Sequence, residues 1–115
     1  MTRKMLLLGT ALATIVSVEA FAAIVGGYES RGSVTAYYIY PDYGGGDVVF
    51  TTESHLPGCQ HGFWLRPSDP GFKTAYAAVL SSYAQKTPLR IWAYTDSLWS
   101  GSSGQYCRIY TIGGM

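Results

Sequence analysis

Two cysteines constrain this chain of 115 residues more than any other feature of its sequence. Cys59 and Cys107 are the only cysteines, and they lie 48 positions apart. A disulfide between them closes a long loop, and the lost entropy of the unfolded chain stabilises a small domain by about 4 kcal/mol. Disulfides persist in oxidising compartments. Whether the disulfide is expected therefore depends on whether the chain is exported to such a compartment.

The N-terminus has the three-part layout of a secretory signal peptide. Two basic residues precede an apolar run over residues 5–18, and Ala20-Phe21-Ala22 is a small-x-small cleavage site. The apolar run is shorter than the roughly 20 residues that a transmembrane helix needs; a retained membrane anchor is the alternative. We expect residues 1–22 to be removed and residues 23–115 to form a single domain. The protein is then secreted or periplasmic, with no membrane span after cleavage.

Export favours a structural disulfide over a metal site or a catalytic cysteine. His55 and His61 flank Cys59 in the segment HLPGCQH, but two imidazoles with no adjacent carboxylate fall short of the four ligands of structural zinc. The GSSG segment at residues 101–104 is not a nucleophile elbow, which has the pattern G-x-S-x-G. The sequence therefore predicts a Cys59–Cys107 bridge, no metal, no cofactor, no catalytic residues and no enzyme.

Runs of β-branched and aromatic residues, separated by turn residues, predict five strands. These runs cover residues 33–40, 47–52, 62–65, 89–95 and 106–112. The turn PDYGGGD joins the first two as a hairpin. In the last strand, strict alternation places Cys107 and Ile109 on one face and Tyr110 and Ile112 on the other.

A helix is predicted between the third and fourth strands. Ser68 or Asp69 is the expected N-cap, with Pro70 in the first turn, and Pro88 prevents continuation. One apolar face at helical spacing consists of Phe72, Ala75, Tyr76, Val79, Leu80, Tyr83 and Ala84. Three strands, a helix and two strands is the element order of an OB-fold, a five-stranded Greek-key barrel. The predicted fold class is mainly β and OB-fold-like; an α+β sandwich is the alternative.

The helix and the strand after it carry a recognisable residue pattern. Phe72, Leu80, Tyr83, Pro88, Arg90 and Ile91 match the pattern F-x7-[AL]-x-x-Y followed by P/S-V-R-I, and Trp99 resembles a tryptophan beyond that strand. This segment resembles the OB-fold B subunits of pertussis-like bacterial toxins, such as those of subtilase cytotoxin and typhoid toxin.

The resemblance implies a secreted, non-enzymatic module that binds sialylated glycans on a host surface. It also implies assembly as a homopentameric ring and a toxin A subunit as partner. In the relatives a serine at the start of the first strand contacts the sugar, and Ser33 is its nearest counterpart. A tyrosine just after their R-I-aromatic run helps to hold the sugar. Ala93 stands at that position here, and its aromatic neighbours Trp92 and Tyr94 are the candidates.

Independently of the family, OB-folds bind ligands beside the loops between strands one and two and between strands four and five. These loops are residues 41–47, with Tyr43, and residues 96–104, with Trp99. Exposed Tyr and Trp side chains offer flat apolar faces with a polar edge, which suit sugar rings. The alternative is that Trp99 is core and that the serines beside it only solvate a loop.

Two other functions compete with glycan binding. The first is a monomeric periplasmic or cell-envelope OB-fold domain with a protein partner or a structural role. The second is nucleic-acid binding, which export and a balance of six basic against six acidic residues in 23–115 both argue against. We therefore expect no nucleic-acid partner.

Overall fold

The structure is a computed structural model that describes residues 24–25 and 32–114. Its elements in chain order are β1 (Ile24–Val25), β2 (Val34–Tyr40), β3 (Asp47–Thr52), β4 (Gly62–Leu65), α1 (Phe72–Gln85), β5 (Leu89–Leu98) and β6 (Tyr106–Gly114). The five predicted strands and the predicted helix are all present, and β1 is an addition to them. The predicted signal peptide, residues 1–22, lies outside the described residues. The prediction of a mainly β chain is confirmed.

The strands form one mixed sheet in the order β1-β5-β6-β4-β3-β2. The β4–β6 pair is parallel and the other pairs are antiparallel. The sheet is not closed as a barrel, because Ala93 and Tyr94 of β5 pair with β1 on the edge that faces away from β6. Within the described residues, one backbone hydrogen bond of 3.2 Å, from Leu89 N to Gly32 O, joins the start of β5 to the chain just before β2.

The helix covers one face of the sheet and closes the main core. Val79 of α1 is fully buried, as are Phe50, Phe63 and Ile91 of the sheet. Burial of each such side chain contributes about 1.5–3 kcal/mol relative to exposure. The predicted disulfide between Cys59 and Cys107 is present in this core, with a Cα–Cα distance of 5.4 Å.

The helix differs from its prediction at its first residue. It starts at Phe72, and Gly71 occupies the N-cap position without a side-chain cap, so the predicted caps Ser68 and Asp69 were wrong. At the other end, Lys86 adopts a left-handed conformation with φ 56°, which terminates the helix before Pro88.

A β-bulge in β6 reverses the predicted alternation after Tyr110, so the face predicted for Ile112 was wrong, whereas Cys107 and Ile109 share the core face as predicted. Thr111 pairs with Trp92 and Ile109 pairs with Ala93, so Tyr110 is an extra residue with no partner of its own on β5. Because of the extra residue, the side chains that follow it lie on the side of the sheet opposite to the one that strict alternation predicts. Ile112, which was expected on the face opposite Ile109, packs against the same core as Ile109. Tyr110 is instead 53% exposed.

Candidate functional site

A second, smaller cluster of buried residues forms on the face of the sheet that α1 does not cover. It consists of Val49 of β3, Trp64 of β4 and Trp99, with Tyr106 packed against them. Val49 and Trp64 are cross-strand neighbours, and Val49 alternates with the core residue Phe50 along β3. The loop between β5 and β6 therefore folds back over the sheet and places Trp99 on this face.

Trp99 is held in one orientation from two sides. Its Nε1 donates a hydrogen bond of 3.0 Å to Oδ2 of Asp47, the first residue of β3. Asp47 and Trp99 are only 4% and 6% exposed, so this bond is shielded from water and is strengthened by the charge on the acceptor. Gly101 lies directly against the indole ring, where a Cβ atom has no room.

The loop between β2 and β3 is built around the same carboxylate. Gly44 has a φ of +64°, in the left-handed region, and a Cβ there would overlap the Asp47 carboxylate. The backbone N–H of Asp47 donates to the carbonyl oxygen of Tyr43 at 3.1 Å. This loop and the β5–β6 loop therefore share Asp47 as their common anchor.

Tyrosine side chains surround the buried indole at the surface. The ring centroids of Tyr40 and Tyr43 lie 4.9 and 5.6 Å from that of Trp99. The hydroxyl groups of Tyr43 and Ser100 share a hydrogen bond of 2.8 Å that joins the two loops. Tyr38 lies two residues before Tyr40 on the same face of β2. We call Tyr38, Tyr40, Tyr43 and Ser100 the tyrosine patch.

The tyrosine patch combines flat apolar surface with hydroxyl groups. Tyr38, Tyr40 and Tyr43 are 58%, 39% and 40% exposed. Each ring is an apolar plane with few rotatable bonds, and each phenol both donates and accepts hydrogen bonds. Because the rings rest on an indole that is itself fixed, little conformational entropy remains to be lost when a ligand binds.

The structure brings together two of the five predicted ligand residues, Tyr43 and Trp99. Trp99 is buried, so it supports the tyrosine patch from below and does not offer its own face. The other three predicted residues, Ser33, Trp92 and Tyr94, make their described contacts away from the tyrosine patch. The backbone N–H and the hydroxyl of Ser33 bond to Oε1 of Glu53 at 3.0 and 3.4 Å. Trp92 is half-buried on β5 opposite Thr111.

Tyr94 belongs to a different cluster of side chains. The guanidinium carbon of Arg108 lies 4.5 Å from the centre of its ring, and the ring of Tyr110 meets it edge-on at 5.4 Å. As sugar contacts, Ser33, Trp92 and Tyr94 stay predictions.

Sequence reasoning missed Tyr38, Tyr40 and Asp47. The two tyrosines had a usable signal, because in VTAYYIY they alternate with Tyr37, which packs on the helix through Tyr76 and Tyr83. Asp47 had no such signal in the sequence, because Trp99, its hydrogen-bond partner, lies 52 positions away.

In the described part of the chain, His61 is engaged in structural contacts and His55 faces solvent. Nδ1 of His61 accepts a hydrogen bond of 2.9 Å from the backbone N–H of Gln105, and its ring lies against Tyr106. His55 is exposed. Within the described residues, no three His, Cys, Asp or Glu side chains are grouped so as to hold a metal ion. The described helix is also too short and too polar to cross a membrane.

The fold and the tyrosine patch define a disulfide-bonded, mainly β chain with one helix and an exposed aromatic surface. No protein-family model, curated protein or solved structure matches this chain.

Proposed function

We propose that the protein is a non-enzymatic, glycan-binding module whose binding surface is the tyrosine patch. One observation carries the proposal: the exposed rings of Tyr40 and Tyr43 lie against a buried tryptophan that a carboxylate holds in place, with exposed Tyr38 next to them on the same face of β2. Tyrosine rings stack on the apolar faces of sugars, and the hydroxyls of Tyr43 and Ser100 can exchange their mutual hydrogen bond for bonds to sugar hydroxyls.

The fold that we propose for this module is a partly open, OB-fold-like barrel. Support comes from strands β2 to β6, which follow one another across the sheet in the order β2-β3-β4-β6-β5, with the helix inserted between β4 and β5. OB-folds bind oligosaccharides beside their first and fourth strand connections. The tyrosine patch takes Tyr43 from the β2–β3 loop and Ser100 from the β5–β6 loop, which correspond to those two connections.

The proposal extends to where the protein acts and how it assembles. The Cys59–Cys107 bridge is compatible with an exported protein, secreted or periplasmic. The residue pattern between Phe72 and Ile91 supports a B-subunit-like role in the manner of pertussis-like toxins. That role comprises a homopentameric ring, a host-surface glycan as ligand and an A subunit as partner.

A monomeric cell-envelope domain with a protein partner is the second candidate, and the β2 strand favours it. Within the described residues β2 pairs only with β3, and Ile39 beside Tyr38 is 47% exposed. An exposed apolar edge strand can accept a strand from another protein. Light scattering of the oxidised protein separates the two: five protomers support the ring, and a monomer supports the envelope domain.

A glycan array tests the proposed ligand class. The oxidised protein is screened beside two single variants, Tyr43→Ala in the tyrosine patch and Tyr83→Ala on the helix. Tyr83 is a matched control because it is 47% exposed, close to the 40% of Tyr43. We expect a set of related glycans to bind the wild type and Tyr83→Ala, and to lose binding to Tyr43→Ala. Absence of any glycan signal, or equal loss in both variants, contradicts the proposal.

A further inference from the structure

A groove opens between α1 and the bulged part of β6, and it is separate from the tyrosine patch. Its volume is about 590 Å³, within the range of roughly 300–1,000 Å³ that small-molecule sites occupy. The helix contributes Phe72, Ala75 and Ala78 to its walls, and β6 contributes Ile109 and Ile112. All five are apolar, so the walls favour an apolar ligand.

One end of the groove carries a compact group of charged side chains. Both Nε and Nη2 of Arg66 donate to Oδ1 of Asp69, at 3.0 and 2.8 Å. Nη1 of Arg108 donates to Oδ2 of the same carboxylate at 3.3 Å. These are the only charged residues that line the groove within the described part of the chain, so two guanidinium groups face one carboxylate, a formal charge of +1.

Arg108 is the more shielded and the more firmly held of the two arginines. Its side chain is 19% exposed, against 45% for that of Arg66. Its Nε donates to Ser97 Oγ at 3.1 Å and its plane rests on Tyr94, which fixes the guanidinium in place. Among the described residues no group accepts from Nη2, which is left as a donor for a ligand. A fixed, partly desolvated guanidinium pairs strongly with a planar carboxylate.

The bulge at Tyr110 shapes this end of the groove. The extra residue turns Ile112 toward the core, where it forms part of the groove wall. Tyr110 lies beside Tyr94 at the rim and shares the face of Arg108 by alternation along the strand. An aromatic rim next to a cationic group and an apolar wall is suited to a molecule with a charged head and an apolar tail. Bulges commonly re-aim side chains beside binding sites.

We propose that this groove binds an amphiphile with one carboxylate head and one alkyl chain, the chemical class of the fatty acids. The carboxylate pairs with Arg108 and Arg66, and the alkyl chain lies along Phe72, Ala75 and Ile109. Charge complementarity selects the carboxylate, since the groove has a net positive charge and Asp69 already has both oxygens engaged by arginine. The proposal does not depend on glycan binding at the tyrosine patch.

Isothermal titration with four soluble probes tests the ligand class. The probes are decanoate, decyltrimethylammonium, pentaethylene glycol monodecyl ether and acetate. They compare the anionic head with a cationic and a neutral head on the same chain, and with the head alone. We expect decanoate to bind at least about tenfold more tightly than the cationic and neutral amphiphiles, the effect of one charge-assisted pair. Acetate should not bind measurably. Equal binding of all three amphiphiles overturns the proposal.

Two adjacent alanines provide a matched pair of variants. Ala78 lines the groove, whereas Ala77 is exposed on the same turn of α1 and does not line it. Ala78→Phe fills the apolar part and is expected to abolish decanoate binding, while Ala77→Phe leaves it unchanged. Arg66→Gln, at a half-exposed position, is a second variant that keeps the fold and is expected to weaken decanoate binding severalfold. Unchanged binding in both Ala78→Phe and Arg66→Gln contradicts the assignment.

Discussion

The indole Nε1 of Trp99 donates a hydrogen bond to Oδ2 of Asp47 across 52 positions of sequence, and this bond joins the two loops that contribute Tyr43 and Ser100 to the tyrosine patch. Because both side chains are buried, an Asp47→Ala variant leaves the indole N–H without a partner, which costs about 1–3 kcal/mol. We expect urea unfolding to show that loss of stability. We also expect glycan binding to weaken, because Trp99 loses its fixed orientation. Asp47→Asn, which keeps an acceptor oxygen, is the control and should retain most of the stability. Equal stability of Asp47→Ala and the wild type contradicts the anchoring role.

Removal of the Tyr43 hydroxyl distinguishes stacking by the ring from hydrogen bonding by the hydroxyl. In a Tyr43→Phe variant the ring remains beside Trp99, but its bond to Ser100 is lost. This bond is exposed, so we expect a change in unfolding free energy below about 1 kcal/mol. If the hydroxyl contacts the sugar, glycan affinity falls by about tenfold or less, whereas Tyr43→Ala abolishes it. Equal affinity of Tyr43→Ala and Tyr43→Phe, measured by titration, contradicts a stacking role for the ring.

Ser82 ties the helix to β2 through one buried hydrogen bond and to the segment that follows the helix through a second, partly buried one. Its Oγ accepts from the backbone N–H of Val34 at 3.0 Å and donates to the carbonyl oxygen of Thr87 at 2.6 Å. Ser82→Ala leaves both backbone groups unpaired in a site where Ser82 is 1% exposed. We expect a loss of about 2–3 kcal/mol in urea unfolding. The exposed neighbour Ser81→Ala should change stability by less than about 0.5 kcal/mol, and a similar small effect at Ser82 would show that the bonds contribute little.

The disulfide accounts for a large part of the stability of so small a chain. Cys59 and Cys107 are 1% and 0% exposed, so a Cys59→Ala, Cys107→Ala double variant loses the chain-entropy contribution of about 4 kcal/mol. We expect its urea midpoint to fall well below that of the oxidised wild type. The wild type treated with a reductant that reaches the bridge should fall by a similar amount. Coincident unfolding curves for oxidised and reduced protein would contradict this account.

The strands could be predicted where residues that form turns lie at their ends. β3 and β4 have the predicted bounds because Gly46 precedes the first, and Gly58 and Pro67 flank the second. The helix was predictable from its apolar spacing. The opening of the sheet was not predictable, because it depends on the pairing of β5 with β1. Ile24 and Val25 of β1 both favour strands, but two residues are too few to show the alternation that identifies a strand.

The candidate site was predictable only in part. Tyr43 and Trp99 could be assigned to the two loops by element order, but the burial of Trp99 depends on Asp47, whose role no local pattern reveals. The bulge at Tyr110 is likewise not revealed by any local sequence pattern. Strict alternation was the best rule available for β6, and a single unpaired residue reversed it after Tyr110. The position of Ile112 in the groove wall could therefore not be anticipated.

The central claim is that a glycan binds beside Trp99, and the indole resonances test it most directly. A 15N-labelled sample gives one Nε1–H signal for each of its three tryptophans, of which Trp99 lies under the tyrosine patch and Trp92 lies outside its contacts. Titration with the best glycan from the array should shift the Trp99 signal in a saturable manner and leave the Trp92 signal in place. A saturable shift of Trp92 with no movement of Trp99 would place the ligand elsewhere and contradict the account.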